Sequence, residues 1–387
     1  MKKIFYLSVL VTTLTLTSCE GNESPAPTKN EYIEFSSTGF REICCLRWDA
    51  NGDGKLSYQE ASLVKSIGTT FYGCEYLEDT FHEFQYFTGI SSIPDNAFYG
   101  CTQLQGITLP PQITHIGKKA FAECHRLGGL NIPSNVKSIG ANAFSNAGSK
   151  RNYDKTSLKI ESFSDWLQID FAGKEANPLS VFRCTALNTV NSILREWHFP
   201  QDITKLKAYV FCGYKDLIRI EVPDHITQID AAAFADSGLI EINIPEGVTY
   251  IASNVFINSN LSKVTIPNSV ISIGECAFSG CKLSSIKFPN SVTKIETCAF
   301  SGCQSLRTIE ISEYITYIGN GAFSSCRQLE TVYCRSTTPP EVGWAIFNDI
   351  SLASDFKIYV PTTSVEAYKN ASGWRDYAWR IVGYDFE

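Results

Sequence analysis

The chain has 387 residues and a formal net charge of −7, with 44% hydrophobic and 19% charged residues. This composition is that of an ordinary exported globular protein, and a negative charge without any basic run argues against a nucleic-acid partner. The length alone predicts two or three domains, although a single array of repeats can exceed the usual domain size.

The N-terminal residues predict export. Met1, Lys2 and Lys3 give a charged start, and the thirteen residues 4–16 form a largely apolar run. That run is too short to span a bilayer but suits a signal peptide. Residues 16–19, Leu-Thr-Ser-Cys, resemble the bacterial lipobox. The resemblance implies that residues 1–18 are a lipoprotein signal peptide and that Cys19 is lipidated; the alternative is a plain secretory signal with an incidental cysteine.

Residues 19–31 are polar and contain two prolines, which predicts a flexible tether. A lipidated Cys19 further implies an exported protein that contacts the membrane through its lipid anchor alone. On this interpretation the protein is held at the outer membrane and displayed on the cell surface.

Residues 49–60 match an EF-hand calcium loop at every position. Calcium is a hard cation that takes about six to eight oxygen ligands, and a glycine at position 6 allows the sharp turn. The predicted ligands are the side chains of Asp49, Asn51, Asp53, Ser57 and Glu60 and the backbone carbonyl of Lys55. The alternative is a turn rich in Asp, Asn and Gly that binds no metal.

Apolar residues on both sides of this loop predict two helices. One face of the entering helix would carry Phe40, Ile43, Cys44 and Trp48, and one face of the exiting helix Ala61, Val64 and Ile67. No second loop of this kind follows, so a structural calcium clip fits the sequence better than a switch. Residues 32–88 are expected to form an EF-hand-like N-terminal cap, because the first of a series of stacked repeats needs one. The aromatic residues between 71 and 98 belong to it, although a ligand-binding patch is an alternative.

A pattern of 22 or 23 residues recurs between residues 89 and 347. A copy contains a proline, an apolar residue three positions on, an isoleucine, an Ala-Phe pair and often a cysteine. The phenylalanines stand at 98, 121, 144, 211, 234, 256, 278, 300, 323 and 347. A short alternating strand precedes each proline, which cannot continue a hydrogen-bonded ladder on both sides. This period, with no long helix, indicates a leucine-rich repeat.

The copies resemble the BspA-like, Treponema-type leucine-rich repeat family, whose pattern is L-x-x-I-x-I-P-x-x-V-x-x-I-G-x-x-A-F-x-x-C. The resemblance runs from about residue 90 to residue 347, although Tyr214 and Ser237 replace the cysteine in their copies. It implies a repeat solenoid, a right-handed coil with a parallel β ladder. Residues 145–194 depart from the pattern and are predicted to be an irregular insertion, either a tolerated surface loop or a binding element with Tyr153, Phe163 and Trp166 as anchors.

Residues 348–387 are predicted to form the C-terminal cap, in which Trp374, Tyr377 and Trp379 are large apolar residues that would cover the core.

The fourteen cysteines would ordinarily suggest disulfides in an exported chain. Five of them instead follow a repeat phenylalanine by three positions, so we expect a column of buried, free thiols. Isolated bridges between neighbouring repeats stay possible. Motifs for catalysis are absent from the sequence: the five histidines have no zinc-ligand spacing, and no nucleophile elbow or phosphate-binding loop occurs. A non-catalytic protein is therefore predicted.

Two side chains per repeat are expected to point outward from the strands. They carry charges of both signs and few aromatic rings, whereas sugar-binding faces usually need aromatic platforms. The predicted binding residues are Arg219, Glu241, Lys263 and Lys287. The family resemblance suggests adhesion, with a protein ligand on a host or bacterial surface. The alternatives are a structural spacer or accessory subunit of a surface assembly and, less favoured, a glycan-binding protein.

Overall fold

The structure is a computed structural model that describes residues 31–149, 157–181, 188–189, 192–193, 198–350 and 356–386. The predicted signal peptide, the lipidation site Cys19 and all but the last residue of the tether lie outside the described residues. So does part of the predicted insertion, including Tyr153, a candidate anchor there.

The described repeats form two rows of short, mostly parallel strands, which we call the first and second ladders, and each ladder is divided into three hydrogen-bonded sheets. The strands of the first ladder are Asp79–Phe81, Leu104–Thr108, Gly129–Ile132, Ser157–Ile160, Asn188–Thr189, Glu241–Asn243, Lys263–Thr265, Ser285–Lys287, Thr308–Ile311, Thr331–Cys334, Lys357–Pro361 and Ile381–Tyr384, with Ser192–Ile193 antiparallel to Asn188–Thr189. Alternation along these strands buries one set of side chains: Ile309 and Ile311 are buried, and Thr308 and Glu310 are half-exposed. We call the outward side of this ladder the strand face.

The second ladder lies where the repeat isoleucine occurs, in a part of the repeat that its sequence pattern does not identify as strand. Its strands are Ser92–Ile93, His115–Ile116, Ser138–Ile139, Asp170–Phe171, Lys205–Leu206, Gln228–Ile229, Tyr250–Ile251, Ser272–Ile273, Lys294–Ile295, Tyr317–Ile318 and Glu341–Val342. Ile273 pairs in register with Ile251 and Ile295. Each strand is only two residues long, too short to produce a recognisable alternation.

The repeat phenylalanines stack on one another through the core. Ring centroids of neighbouring repeats lie 5.1–5.9 Å apart, and the planes differ by at most 22°. The stacked pairs are Phe71–Phe98, Phe98–Phe121, Phe121–Phe144, Phe211–Phe234, Phe234–Phe256, Phe256–Phe278, Phe278–Phe300, Phe300–Phe323 and Phe323–Phe347. The stack therefore begins at Phe71, within the segment that the sequence assigns to the N-terminal cap.

The repeat cysteines form the expected buried column, and none of the twelve cysteines in the described ranges is in a disulfide. Each thiol of the column donates to the carbonyl of the phenylalanine one repeat earlier, with sulfur-to-oxygen distances of 2.9–3.3 Å. The pairs are Cys101 with Phe71, Cys124 with Phe98, Cys281 with Phe256, Cys303 with Phe278 and Cys326 with Phe300. The thiols thus link successive repeats without covalent bonds.

The N-terminal segment contains the helices Thr38–Trp48 and Tyr58–Leu63 and the 3-10 helix His82–Tyr86. The exiting helix was expected to continue through Ile67 but ends at Leu63, and Val64 and Ile67 are buried outside it. The helix ends where the Val64 backbone becomes extended, with φ −63° and ψ 120°. The end of the helix also lies close to Gly89, where an added Cβ would be 2.3 Å from the Ser62 carbonyl oxygen.

The insertion is more regular than its sequence pattern. Apolar and polar residues alternate over residues 167–171, which predicts a strand. In the structure Leu167 is the last residue of the helix Phe163–Leu167, and the strand contains only Asp170–Phe171. Trp166 is buried and its indole N–H donates to the Val210 carbonyl, 3.2 Å away. Two 3-10 helices follow, Lys174–Ala176 and Pro178–Ser180. Phe163 and Trp166 therefore serve the core and are not exposed anchors for a partner.

The C-terminal residues cover the last phenylalanine of the stack. After the strand Lys357–Pro361 come the 3-10 helix Thr362–Ser364, the helix Val365–Asn370 and the 3-10 helix Arg375–Arg380. Trp374 is fully buried, its ring centroid is 6.4 Å from that of Phe347, and its indole N–H donates to the Pro340 carbonyl. Trp379, also expected to cover the core, is 66% exposed.

Candidate functional site

Three charged residues on the strand face form one chain of ion pairs. Glu241 lies opposite Lys263 in the ladder and forms a bridge with Arg219 on its other side. Its two carboxylate oxygens accept from Arg219 Nη2 at 2.8 Å and from Lys263 Nζ at 2.5 Å. The hydrogen bond from Lys263, with the positive charges of Lys263 and Arg219, holds the pKa of Glu241 below its ordinary value.

Exposure within this trio is uneven. The side chains of Arg219 and Lys263 are 77% and 72% exposed, whereas that of Glu241 is only 25% exposed. Glu241 therefore bridges two cations, and the group presents mainly positive charge outward. The sequence placed the three side chains on one face correctly but could not show that the acid holds the two bases in position.

Lys287 lines a groove of about 530 Å³ between two strands of the first ladder. The strands Lys263–Thr265 and Ser285–Lys287 each pair with the neighbour on their far side, but they belong to different sheets. The groove opens where the ladder is interrupted. Besides the two lysines, the hydroxyl-bearing residues Ser262, Thr265, Ser284 and Ser285 line it. The four predicted binding residues thus come from four consecutive repeats, one from each.

The C-terminal end of the strand face carries an aromatic cluster that the repeat pattern did not predict. Tyr333 and Tyr359 lie opposite each other in neighbouring strands, and their rings stack with centroids 5.2 Å apart. Tyr384 contacts both rings at 5.5 Å, and Phe386 lies against Tyr384 at 4.9 Å. We call Tyr333, Tyr359, Tyr384 and Phe386 the aromatic cluster. Only Tyr333 belongs to a recognisable repeat, so the register of the last strands was needed to find the others.

The predicted calcium loop folds as a series of turns held by its own side chains. Asp49 accepts from the backbone N–H groups of Gly52 and Gly54, each at 2.8 Å. Both glycines have left-handed φ angles, 74° and 81°, which other residues rarely adopt. Asn51 accepts from the Asp53 N–H at 2.9 Å, and Asp53 from the Lys55 N–H at 2.9 Å. The side-chain oxygens of positions 1, 3 and 5 are thereby ordered by the loop backbone.

Glu60, the last predicted ligand, is the third residue of the exiting helix and forms a reciprocal cap with Ser57. Ser57 accepts from the Glu60 N–H, and Glu60 accepts from the Ser57 N–H and hydroxyl at 2.9 and 2.8 Å. Its other oxygen accepts from the Ala50 N–H at 2.8 Å. Desolvation acts to raise the pKa of Glu60, but these hydrogen bonds from Ser57, Ala50 and Asn51 outweigh it and hold the pKa below its ordinary value.

The loop pairs with the segment that follows the tether. The Ile33 N–H donates to the Leu56 carbonyl at 2.9 Å, and the Tyr58 N–H donates to the Glu31 carbonyl at 3.1 Å. Tyr32 also donates its hydroxyl to Asp53, 3.0 Å away. Residues 31–33 are therefore attached to this loop by both backbone and side-chain hydrogen bonds. Nothing in the sequence pattern of residues 31–33 predicted them.

Across the described ranges, no group of three or more His, Cys, Asp and Glu side chains is arranged to hold a metal ion. The adjacent Cys124 and His125 do not form a reactive pair. The Cys124 thiol is buried, burial raises its pKa, and it donates to the Phe98 carbonyl. The His125 ring lies 3.0 Å from the Ser149 hydroxyl. No helix in the described part of the chain is long and apolar enough to cross a bilayer.

Comparison with known proteins identifies the repeat family. The sequence matches the BspA type leucine rich repeat region, in six copies, over residues 60–166, 184–261 and 249–371. No curated protein matches the chain.

Several solved structures are similar. A leucine rich cell surface protein from Faecalibacterium prausnitzii A2-165 is 26% identical with a TM-score of 0.42; the alignment covers 68% of this chain and 61% of that one. A leucine-rich repeat protein from Bacteroides ovatus ATCC 8483 is 21% identical with a TM-score of 0.46, covering 86% and 88%. The pneumococcal vaccine antigen PcpA is 17% identical with a TM-score of 0.49, covering 77% and 78%. Because the family match extends over well more than half of the sequence, the chain belongs to the BspA type leucine-rich repeat family.

Proposed function

We propose that this protein is a non-catalytic cell-surface lipoprotein that binds another protein through its strand face. The observation that carries the proposal is the arrangement of that face. In the charged trio, Glu241 and Lys263 lie opposite each other in paired strands and Arg219 forms a bridge beside Glu241. In the aromatic cluster, Tyr333, Tyr359 and Tyr384 lie on neighbouring strands. The partner is a protein on a host or bacterial surface, and the family to which the chain belongs is consistent with such adhesion.

The strand face is preorganised for binding. Side chains that project from hydrogen-bonded strands lose little conformational freedom when a partner binds, so less of the contact energy is spent on ordering. Opposite charges across an interface mainly set its specificity and orientation. Tyrosine is enriched among the residues that dominate binding energy, which makes the aromatic cluster a plausible anchor.

The test begins with a pull-down of the tether-free protein against host and bacterial surface extracts. Any partner is then tested against the fourfold variant Arg219→Glu, Glu241→Lys, Lys263→Glu and Lys287→Glu. Reversing the whole trio keeps each attraction within it, so the melting temperature should change little while the outward charge reverses. A matched control reverses Lys294 and Glu341, two exposed residues of the second ladder. Binding should be abolished in the fourfold variant only; intact affinity there would exclude this part of the strand face.

The aromatic cluster supports a second candidate, glycan binding, because stacked tyrosines provide the platform that the repeat pattern lacked. The variant Tyr359→Ala, compared with the fourfold variant, distinguishes glycan binding from protein binding. If a glycan array gives a ligand whose binding is lost in Tyr359→Ala but not in the fourfold variant, glycan binding replaces protein binding. A structural spacer or accessory subunit would show neither ligand, yet the deletion of the protein would disturb its surface assembly.

We further propose that residues 49–60 bind calcium as a structural clip. The residue types suit this metal, because the side chains of Asp49, Asn51, Asp53, Ser57 and Glu60 and the Lys55 carbonyl all offer oxygen. In the structure Asp49, Asp53 and Glu60 do not form a metal-binding group, so calcium would have to bring them together. When bound, the metal would offset the negative charge of the three carboxylates. The paired segment 31–33 and the buried Leu56 attach the loop to the rest of the cap, so metal binding there would stabilise the N-terminal end of the repeats.

The remaining inferences concern the chain's location and ends. We propose that Cys19 carries the lipid that holds the exported protein at the outer membrane. We also infer that the repeats form a right-handed leucine-rich repeat solenoid with caps at residues 32–88 and 348–387. Burial of Phe40 at one end and of Trp374 at the other supports the caps, because both cover phenylalanines of the repeat stack.

A further inference from the structure

A polar cavity of about 330 Å³ lies in the N-terminal cap, away from the strand-face residues described above. Its walls come from the segment after the tether, the exiting helix and the 3-10 helix His82–Tyr86. The lining residues are Tyr32, Tyr58, Tyr86, Glu34, Glu83, His82 and Gln85. The volume is at the lower end of the range for small-ligand pockets, about 300–1,000 Å³.

The carboxylate of Glu83, which lines this cavity, has one oxygen that lacks a hydrogen-bond donor. Glu83 is only 6% exposed, and its Oε1 accepts from the Ser36 N–H at 2.7 Å. Its Oε2 is buried and has no hydrogen-bond partner within the described part of the chain. A buried carboxylate oxygen without a donor is costly, so a donor entering the cavity would gain an interaction that the protein itself does not supply.

The lining indicates the charge of that donor. Two carboxylates, Glu34 and Glu83, line the cavity, and the one basic side chain among its lining residues is His82, whose Nδ1 lies 3.1 Å from the Thr108 hydroxyl. An anion would meet two like charges, and an apolar ligand would leave Glu83 Oε2 unpaired. The Tyr58 and Tyr86 rings stand edge to face, with centroids 4.8 Å apart and planes at 88°. Aromatic faces attract cations through the ring quadrupole.

We propose that this cavity binds a protonated amine or guanidinium group, with one N–H donating to Glu83 Oε2 and the cation packed against the tyrosine rings. The group could belong to a small free amine or to a lysine or arginine side chain of a peptide, and the same contacts recognise both. The site is separate from the proposed strand-face interface. None of its lining residues is a proposed calcium ligand, although Tyr58 lies within residues 49–60 and the Tyr32 hydroxyl donates to Asp53.

The experiment is calorimetric titration of the mature chain with three cationic probes and one neutral probe. Butylamine and methylguanidine represent free cations, N-acetyl-Gly-Arg-Gly-amide represents a peptide side chain, and butanol is the neutral control. We expect the cations to bind and butanol not to bind. Glu83→Gln keeps the size of the side chain and an acceptor for Ser36, and it should weaken binding by about tenfold or more. Glu78→Gln makes the same change at an exposed glutamate and should have no effect.

Two further variants keep the outcome decisive. Glu34 is exposed, so Glu34→Gln should fold even if Glu83→Gln does not, and it should weaken cation binding about two- to fivefold. Asp49→Ala removes a proposed calcium ligand and should leave amine binding intact. If the arginine peptide binds more tightly than methylguanidine, the cation belongs to a peptide side chain. If methylguanidine binds more tightly, the cation belongs to a small free molecule. The proposal is overturned if no cation binds, if Glu83→Gln and Glu34→Gln both bind normally, or if only Asp49→Ala loses binding.

Discussion

The thiol of Cys303 donates to the backbone carbonyl of Phe278, 3.2 Å away and one repeat earlier. The same carbonyl also accepts from the Cys281 N–H within its own repeat, at 3.1 Å. One oxygen therefore joins the turn after Phe278 to the next repeat. Two other copies hold a buried serine at this position, with different partners: Ser259 pairs with the Cys281 thiol, and Ser237 accepts from the Leu239 N–H.

The first prediction concerns this link. Cys303→Ala removes the donor and leaves a small void, so we expect a loss of about 1 kcal/mol or more in the free energy of unfolding. Cys303→Ser keeps a donor and should cost less than the alanine variant. Chemical denaturation of the three proteins measures both values. Equal stability of the alanine variant and the parent would show that the thiol contributes nothing beyond filling space.

The phenylalanine stack is predicted to be structural. Phe278 is fully buried between Phe256 and Phe300, with ring centroids 5.3 and 5.1 Å away. Phe278→Ala should lower the free energy of unfolding by roughly 3–5 kcal/mol, as expected for a buried aromatic side chain. Tyr314→Ala, at a tyrosine that is 47% exposed, is the control and should cost little. A loss below about 1 kcal/mol at Phe278 would be inconsistent with a core position.

Alkaline pH should destabilise the protein through its buried thiols. Burial raises the pKa of Cys281 and of Cys326 to about 12. Because an unfolded thiol ionises near pH 8.5, this stabilisation is complete below that pH and is lost as the pH rises towards 12. Each such thiol should lower the free energy of unfolding by about 1.4 kcal/mol per pH unit within that window.

The measurement is denaturation at several pH values from about 8 to 10.5, in the parent and in the Cys281→Ser, Cys326→Ser double variant. The double variant should show a shallower fall in stability, because serine does not ionise in this range. The same slope in both proteins would mean that these two thiols are not protected from ionisation by the fold.

Calcium is predicted to raise the melting temperature. Binding to the folded state alone stabilises it by about 2.7 kcal/mol at a hundredfold excess of calcium over the dissociation constant. Asp49→Ala should abolish the rise, and it should also lower stability without calcium because Asp49 holds the Gly52 and Gly54 N–H groups. Glu42→Gln, on the exposed side of the entering helix, should respond like the parent. No shift at millimolar calcium would refute the proposed clip.

Lipidation at Cys19 is tested by mass spectrometry of the native protein. We expect a blocked N-terminal peptide that begins at an acylated Cys19. Cys19→Ala should abolish acylation and retain the unprocessed or misprocessed chain. Recovery of unmodified parent protein from the medium would favour the plain secretory signal.

The sequence by itself determined the repeat family and the inward direction of its phenylalanines and cysteines. These features depend on short-range periodicity, because every repeat buries the same positions. The spacing of oxygen-bearing residues between 49 and 60 predicts a calcium site, which stays a prediction. The same patterns predict that Arg219, Glu241 and Lys263 share one face.

Only the tertiary structure decided how distant segments meet. Three contacts depend on the register between distant segments. Phe71 stacks on Phe98, residues 31–33 pair with the proposed calcium loop, and Tyr333 contacts Tyr359 and Tyr384. The unpartnered Glu83 Oε2 became visible only when three segments closed around its cavity. The physical reason is that packing, ion pairing and desolvation act between residues far apart in the chain, where the local pattern of apolar and polar residues carries no information.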